Sequence, residues 1–325
     1  MCFPAYIDQP KMQLTAKRLS GTTIPHSTKV SQKIRALAVF GAGQMGTGVG
    51  IVAARNLPLT QVHVFDAFQE SLDKSRTFLD SWALKEVKKG RMSDTDAQAF
   101  LKRVTHHKLD PSGEHGENIE EIFSEVDFAI EAVPEVIELK ERVLHDFEKH
   151  CKFDSVFATN TSSISITRIA ASSLRPEKVI GMHFMNPVPV MPLVEIIKGL
   201  STSPETHRLT VELAQAIQKT PATSIDRPGF VANRLLMPYI NEAIFALQDG
   251  VSSRDDIDKI MKLGTNMPMG PLELADFIGL DTCLSIMRVL HTEFGDSKYR
   301  PAPLLVQMVT AKRLGRKTNQ GFYLY

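Results

Sequence analysis

The chain has 325 residues, 43% of them apolar, which is enough for two domains with cores of their own. Lys+Arg (38) and Asp+Glu (37) nearly cancel, which argues against a nucleic-acid surface or a polybasic membrane patch. No apolar run reaches the roughly 18 residues of a membrane span, and Cys2, Cys151 and Cys283 are too few and too scattered for a disulfide framework or a zinc site, which fits a reducing compartment.

At the start of the chain Lys11, Lys17, Arg18, Lys29, Lys33 and Arg35 stand against one acid, Asp8. Two readings are open for residues 1–33: a mitochondrial presequence, or a disordered basic tail on a cytosolic protein. Pro4, Pro10, Pro25 and Asp8 interrupt any amphipathic helix there. The closing Phe322-Tyr323-Leu324-Tyr325 is not an SKL-type peroxisomal address.

IRALAVF (34–40) reads as a buried strand and QMGTGVGIVAARN (44–56) as a helix. Between them lies Gly41-x-Gly43-x-x-Gly46, a dinucleotide fingerprint in the right context. Gly41 allows the tight turn, Gly43 lets backbone approach a pyrophosphate, and Gly46 lets helix pack on strand. The helix N-terminus supplies N–H donors to phosphates. QVHVFD (61–66) is a second strand, ending in Asp66. A carboxylate there can accept both ribose hydroxyls and would repel a 2′-phosphate, and Ala67 and Phe68 supply no arginine. NAD is therefore the expected cofactor.

Residues 69–103 read as a helical hairpin inserted between strands, broken at Gly90-Arg91-Met92 with Ser93 as the N-cap of its second arm. DFAIEAV (127–133), SVFATN (155–160), KVIGMHF (178–184) and PLVEIIKG (192–199) read as further strands. Helical patterns at 136–150 and 204–219 separate some of them. Apolar strands alternating with helices predict a Rossmann-type, mostly parallel sheet covered on both faces. ATNTSSISI (158–166) follows a strand at its ligand side. Its hydroxyls can bond a substrate oxygen or cap a helix near 165–171.

MHFMNPVPVMPLVEIIKG (182–199) places His183 and Glu195 in apolar surroundings on either side of a proline-stiffened bend. Burying either alone is costly, and the cost falls if they meet. A histidine base needs little tuning at neutral pH, and a glutamate on one ring nitrogen fixes its tautomer. The other reading is a core histidine satisfied by backbone, with Glu195 at a solvent edge. After Asp226-Arg227-Pro228-Gly229 the strand signals stop, and only helical patterns run from Phe230 to Thr310, broken at 264–271 and 296–303. Asn233 lies on an apolar helical stripe with Leu236, Ile240, Ala243 and Leu247, so it needs a partner, either a ligand oxygen or a group across a subunit interface. The expected division is an extension (1–33), a dinucleotide-binding domain (34–224) and an all-helical domain (225–325) for substrate binding and homodimerisation.

GAGQMG, EAVPE, ATNTSSISI, HFMNPVPVMPLVE, DRPGFVANRLLMPYINEA, GTNMPMGPLELADFIGLD and the closing Gly321-Phe322-Tyr323 together resemble the 3-hydroxyacyl-CoA dehydrogenase family, nearest its short-chain, 3-hydroxybutyryl-CoA branch, over residues 34–325. The resemblance implies NAD-dependent oxidation of a short (S)-3-hydroxyacyl-CoA to the 3-ketoacyl-CoA. It puts the catalytic base on His183, its orienting glutamate on Glu195, and substrate contacts on Ser162, Asn186 and Asn233, with Ser162 and Asn233 assisting catalysis. It implies cofactor contacts at Gly41, Gly43, Gln44, Met45, Gly46, Asp66, Glu135, Lys140, Ser162 and Asn186, no metal, and a coenzyme A contact at Lys89 on the hairpin, beside Trp82, Lys85 and Lys88. Rivals are a sugar-acid dehydrogenase on the same scaffold and a non-catalytic NAD-binding protein.

Overall fold

The computed structural model describes residues 26–113 and 117–325. Residues 1–25, most of the basic tail, lie outside the described residues, and the targeting reading lies there with them. The last part of the expected extension is folded. His26–Lys33 forms a helix, α1, because Val30 and the following Ile34 find a place in the core. Lys33 meets Glu212 at 2.8 Å, and Ser31 pairs with Thr60.

The next elements follow the sequence reading: β1 (Ala36–Phe40), α2 (Gln44–Asn56), β2 (Gln61–Asp66), then the hairpin arms α3 (Gln69–Lys88) and α4 (Asp94–Lys102). Ser93 caps α4, its hydroxyl accepting from the Asp96 amide at 3.1 Å. The chain continues through β3 (Val104–Lys108), α5 (Glu117–Glu125), β4 (Phe128–Glu131), α6 (Ile137–Glu148), β5 (Val156–Thr159), α7 (Ile166–Ala171), β6 (Val179–Phe184), β7 (Leu193–Lys198), α8 (Pro204–Ala216) and β8 (Thr220–Ile225). The remainder is helical: α9 (Ala232–Gln248), α10 (Arg254–Gly264), α11 (Pro271–Ile278), α12 (Leu280–Phe294) and α13 (Pro303–Thr310).

Among the described residues, eight strands form one sheet in the order β3-β2-β1-β4-β5-β6-β7-β8. Neighbours are parallel except β6 and β7. The central strands β1, β4, β5 and β6 are buried throughout, which is why they read as continuous apolar runs. The strands that escaped the sequence reading, β3 (VTHHK) and β8 (TPATSI), are the two edges. Half-exposed edge strands lack that signal and tolerate proline, here Pro221.

The parallel arrangement sends the carboxyl ends of β1, β4, β5 and β6 to one side, and antiparallel β7 starts there. The helical domain has its own core around Met237, Ile240, Leu284, Met287 and Leu290. Its closing segment folds back on Asp276, whose carboxylate accepts from the Phe322 and Tyr323 amides at 2.9 and 2.8 Å. A side chain at Gly321 would collide with that carboxylate, which accounts for the Gly-Phe-Tyr ending.

Candidate active site

The glycine loop sits at the carboxyl end of β1. Gly41 takes φ +100°, and a Cβ there would lie 2.6 Å from the Ala132 carbonyl oxygen. A Cβ on Gly46 would overlap the Gly41 carbonyl. A Cβ on Gly43 would meet nothing within 4 Å, so open space lies over the loop where a ligand can approach. Gly43 is also the N-cap of α2 and brings no capping side chain, leaving the first-turn amides at Gln44 and Met45 for an anion. Asp66 accepts from the Ala42 and Phe68 amides at 2.8 and 2.9 Å, one on each oxygen, which holds its carboxylate beside the loop. These residues fit a dinucleotide with free ribose hydroxyls.

Behind the next loop lies a buried ionic cluster. Glu131, at the end of β4, has no exposed surface. It accepts from Lys140 Nζ (2.8 Å), Thr159 Oγ1 (2.6 Å) and the Val133 amide (2.7 Å). Burial pushes its carboxyl up against the pull of these partners. Lys140 is also fully buried and reaches Glu135 at 3.4 Å. It therefore stands behind Glu135, with no exposed ammonium to offer a ligand. Glu135 in turn accepts from Thr161 Oγ1 (2.6 Å), the Ser162 amide (2.9 Å) and the Ser163 amide (3.1 Å). Burial pushes the Glu135 carboxyl up, but Lys140 and these donors outweigh it and hold it below the ordinary carboxylate value. The Ser162 hydroxyl also points at Glu135, at 3.2 Å.

His183 and Glu195 meet. They are direct partners across the antiparallel β6–β7 pair, with Nδ1 and Oε2 3.2 Å apart. Cross-strand pairing puts opposing side chains on one face, and the bend at 186–192 reverses the chain between them. His183 is 9% exposed and Glu195 4%. Glu195 has a second partner that sequence reasoning missed: its Oε1 accepts from the Val231 amide at 2.7 Å, just before α9. Burial pushes the Glu195 carboxyl up, but His183 and the amides of Val231 and Ala232 outweigh it, and it stays a carboxylate. A carboxylate has no proton to give, so the hydrogen of this contact belongs to His183 Nδ1, and in the neutral ring the lone pair lies on Nε2. The Phe230 ring stands edge-on to the imidazole, centroids 6.0 Å apart.

Three residues after Phe230, Asn233 is buried and donates from Nδ2 to the Ser162 carbonyl at 2.9 Å. The start of α9 thus ties both arms together, Glu195 with His183 on one side and Ser162 with Glu135 on the other. Asn186 is exposed, on the bend following His183. Lys89 is exposed and follows α3, a 20-residue helix, so it lies ~30 Å from the end beside Asp66. Glu131 was findable: like Glu195, it is a lone carboxylate in an apolar strand. The Val231 contact was not, because backbone amides carry no signature in the sequence.

The family model for the 3-hydroxyacyl-CoA dehydrogenase NAD binding domain matches residues 36–226, and that for the family's C-terminal domain matches 229–325. The chain belongs to the 3-hydroxyacyl-CoA dehydrogenase family. A probable 3-hydroxybutyryl-CoA dehydrogenase of Bacillus subtilis is 45% identical over 90% of this chain and 98% of its own. The hydroxyacyl-coenzyme A dehydrogenase, mitochondrial, of Rattus norvegicus is 36% identical over 90% and 91%. The crystal structure of (S)-3-hydroxybutyryl-CoA dehydrogenase from Ralstonia eutropha superposes with a TM-score of 0.84 at 42% identity, covering 90% of this chain and 99% of that one. As an NAD-dependent member of the 3-hydroxyacyl-CoA dehydrogenase family, the protein carries its coenzyme on the sheet domain, where the glycine loop and Asp66 lie. Among the described residues no helix is long and apolar enough to cross a membrane.

Proposed function

We propose that this dehydrogenase oxidises short-chain (S)-3-hydroxyacyl-CoA, such as 3-hydroxybutyryl-CoA, to the 3-ketoacyl-CoA, and runs the reverse reduction, with His183 as the base. The observation that carries the reading is the buried His183–Glu195 pair, in which Glu195 takes Nδ1 and leaves Nε2 for a substrate, on the sheet that also carries the NAD-binding loop. His183 takes the C3 hydroxyl proton at Nε2, and Glu195 holds the ring and stabilises the imidazolium. Ser162 and the second Nδ2 hydrogen of Asn233 bond the reacting oxygen as its charge grows. Ser162 turns its hydroxyl from Glu135 to do so, leaving Glu135 with its amide and Thr161 donors. NAD, when held at the glycine loop, would supply the hydride acceptor. Gln44, Met45 and the glycines would hold the pyrophosphate, Asp66 a ribose, and Asn186 and Glu135 would be further contacts of the bound coenzyme. Lys140 acts by fixing Glu135, and Lys89 is the proposed contact of the extended coenzyme A. The short-chain preference is supported by the names of the relatives at about 45% identity. Steady-state kinetics on acyl-CoA substrates from four to about sixteen carbons, with NAD and NADP compared, test it. The highest kcat/KM is expected at four to six carbons with NAD, and a long-chain or NADP preference refutes the assignment.

The helical domain is also the proposed dimer surface. Leu235 (68%), Leu263 (80%) and Phe277 (49%) are exposed on α9, α10 and α11, more apolar area than a lone domain needs to show. Light scattering at micromolar concentration is expected to give twice the chain mass of 36.1 kDa, and a monomer mass would refute the dimer. A reducing compartment, mitochondrial matrix or cytoplasm, is the proposed location, supported by the sparse cysteines.

A further inference from the structure

Lys219 is a buried cation outside the network that surrounds the reacting groups. It is 7% exposed and donates from Nζ to the carbonyls of Val188 and Met191, the latter at 2.8 Å. Both carbonyls belong to the bend between His183 and Glu195. Among the described residues no carboxylate lies within ion-pair distance of it, and burial alone drives its pKa down. A buried ammonium held only by neutral carbonyls is a poor source of stability, since a methionine of similar length would avoid the desolvation cost. What the ammonium does supply is geometry, because it draws two carbonyls of one turn toward a single point.

The backbone on which Lys219 sits is itself fixed. Gln218 takes φ +63°, its amide bonds the Gln215 carbonyl at 3.1 Å, and the Lys219 amide bonds the Ala214 carbonyl at 2.9 Å. That is a Schellman stop at the end of α8. The next residue pairs into the sheet, the Thr220 amide donating to the Pro192 carbonyl at 2.8 Å. On its other side the bend leans on the coenzyme helix: Val188 is buried, and a Cβ on Gly48 would lie 2.7 Å from the Val188 Cβ. The bend therefore sits between α2 and the Lys219 ammonium.

We propose that Lys219 is a positioning residue for the catalytic pair. By clamping the bend against α2 it sets the offset of β6 on β7 at the ends the bend joins, and so the place of His183 Nε2 relative to the coenzyme. It also sets how far Asn186 projects. The proposal rests on the reading of His183 as the base. A misplacement of ~1 Å at a reacting group can cost about a hundredfold in rate.

The test uses the full chain with Lys219→Met and Lys219→Arg, measuring kcat, KM for 3-hydroxybutyryl-CoA, the NADH dissociation constant and the melting temperature. Lys219→Met is expected to lower kcat about 10- to 100-fold while NADH affinity stays within about twofold. Lys219→Arg keeps the charge and two donors and is expected to recover kcat to within about threefold. If Lys219→Met does not fold, Lys219→Gln, which keeps one donor arm, is read in its place and should give an intermediate kcat. A kcat for Lys219→Met within twofold of wild type overturns the proposal, as does a loss that Lys219→Arg leaves unrestored. Should His183→Ala abolish turnover while Lys219→Met stays fast, only the positioning role falls. Should His183→Ala stay fast, the reading beneath it falls.

Discussion

His183→Ala is expected to keep the fold and NADH binding and to lose turnover by three or more powers of ten. The base itself contributes roughly 10²–10⁴, and loss of the ring that orients the hydroxyl adds to that. The fold survives because Glu195 is not stranded: its carboxylate keeps the amides of Val231 and Ala232 at the start of α9. Anions are favoured at a helix N-terminus, so the remaining partners hold the charge without the imidazole. NADH binding survives because the glycine loop and Asp66 lie on β1, α2 and β2, away from the β6–β7 pair. Stopped-flow single turnovers with NADH fluorescence titration separate the two effects. Lost coenzyme binding would mean that His183 holds structure rather than moves a proton.

Lys140→Met is expected to be the most destabilising single change near the site, by about 3–5 kcal/mol. Glu131 and Lys140 have no exposed surface, and removing the ammonium leaves the Glu131 carboxylate with two neutral donors, Thr159 and the Val133 amide. Against a typical total of about 5–15 kcal/mol, that is a drop in melting temperature on the order of 10 °C. The deficit should depend on pH with a definite sign. Burial already raises the Glu131 carboxyl, and losing Lys140 raises it further. Above the unfolded-state value the native variant holds a proton that the unfolded chain has released, so its stability falls as pH rises through that window. Differential scanning calorimetry should thus find a smaller deficit in mildly acidic than in mildly alkaline buffer. A deficit that does not vary with pH would show that Glu131 holds the same protonation state in both proteins. Activity should fall as well, because Glu135 loses the cation that holds it beneath Ser162.

What the sequence revealed follows from which forces leave a trace in it. α2 was legible to the residue and the central strands to within two residues at either end, since double-sided burial forces continuous apolar runs and the glycines can be read from steric need. The pairing of His183 with Glu195 was legible because two lone titratable groups in apolar strands have to find each other. The edges β3 and β8 were not legible, because pairing on one side demands little of their side chains. α1 was missed because Val30 and Ile34 are a faint stripe in a basic segment. Lys219 reads in the sequence as an ordinary solvated lysine at a helix end, and only the fold brings the 186–192 bend to it. Lys140 fits the family pattern as a coenzyme contact, yet in the fold it is walled in, and its reach stops at Glu131 and Glu135.

The most direct test of the account is a double-mutant cycle on kcat/KM for 3-hydroxybutyryl-CoA with His183→Ala, Glu195→Gln and the two combined. Glutamine keeps the Oε1 that caps α9 and removes the charge facing His183. If Glu195 works through the imidazole, its replacement alone costs about tenfold or more, and adding it to His183→Ala costs nothing further, within about twofold. A combined loss equal to the product of the two single losses would mean that the residues act independently, and the coupled base at the centre of this account would be wrong.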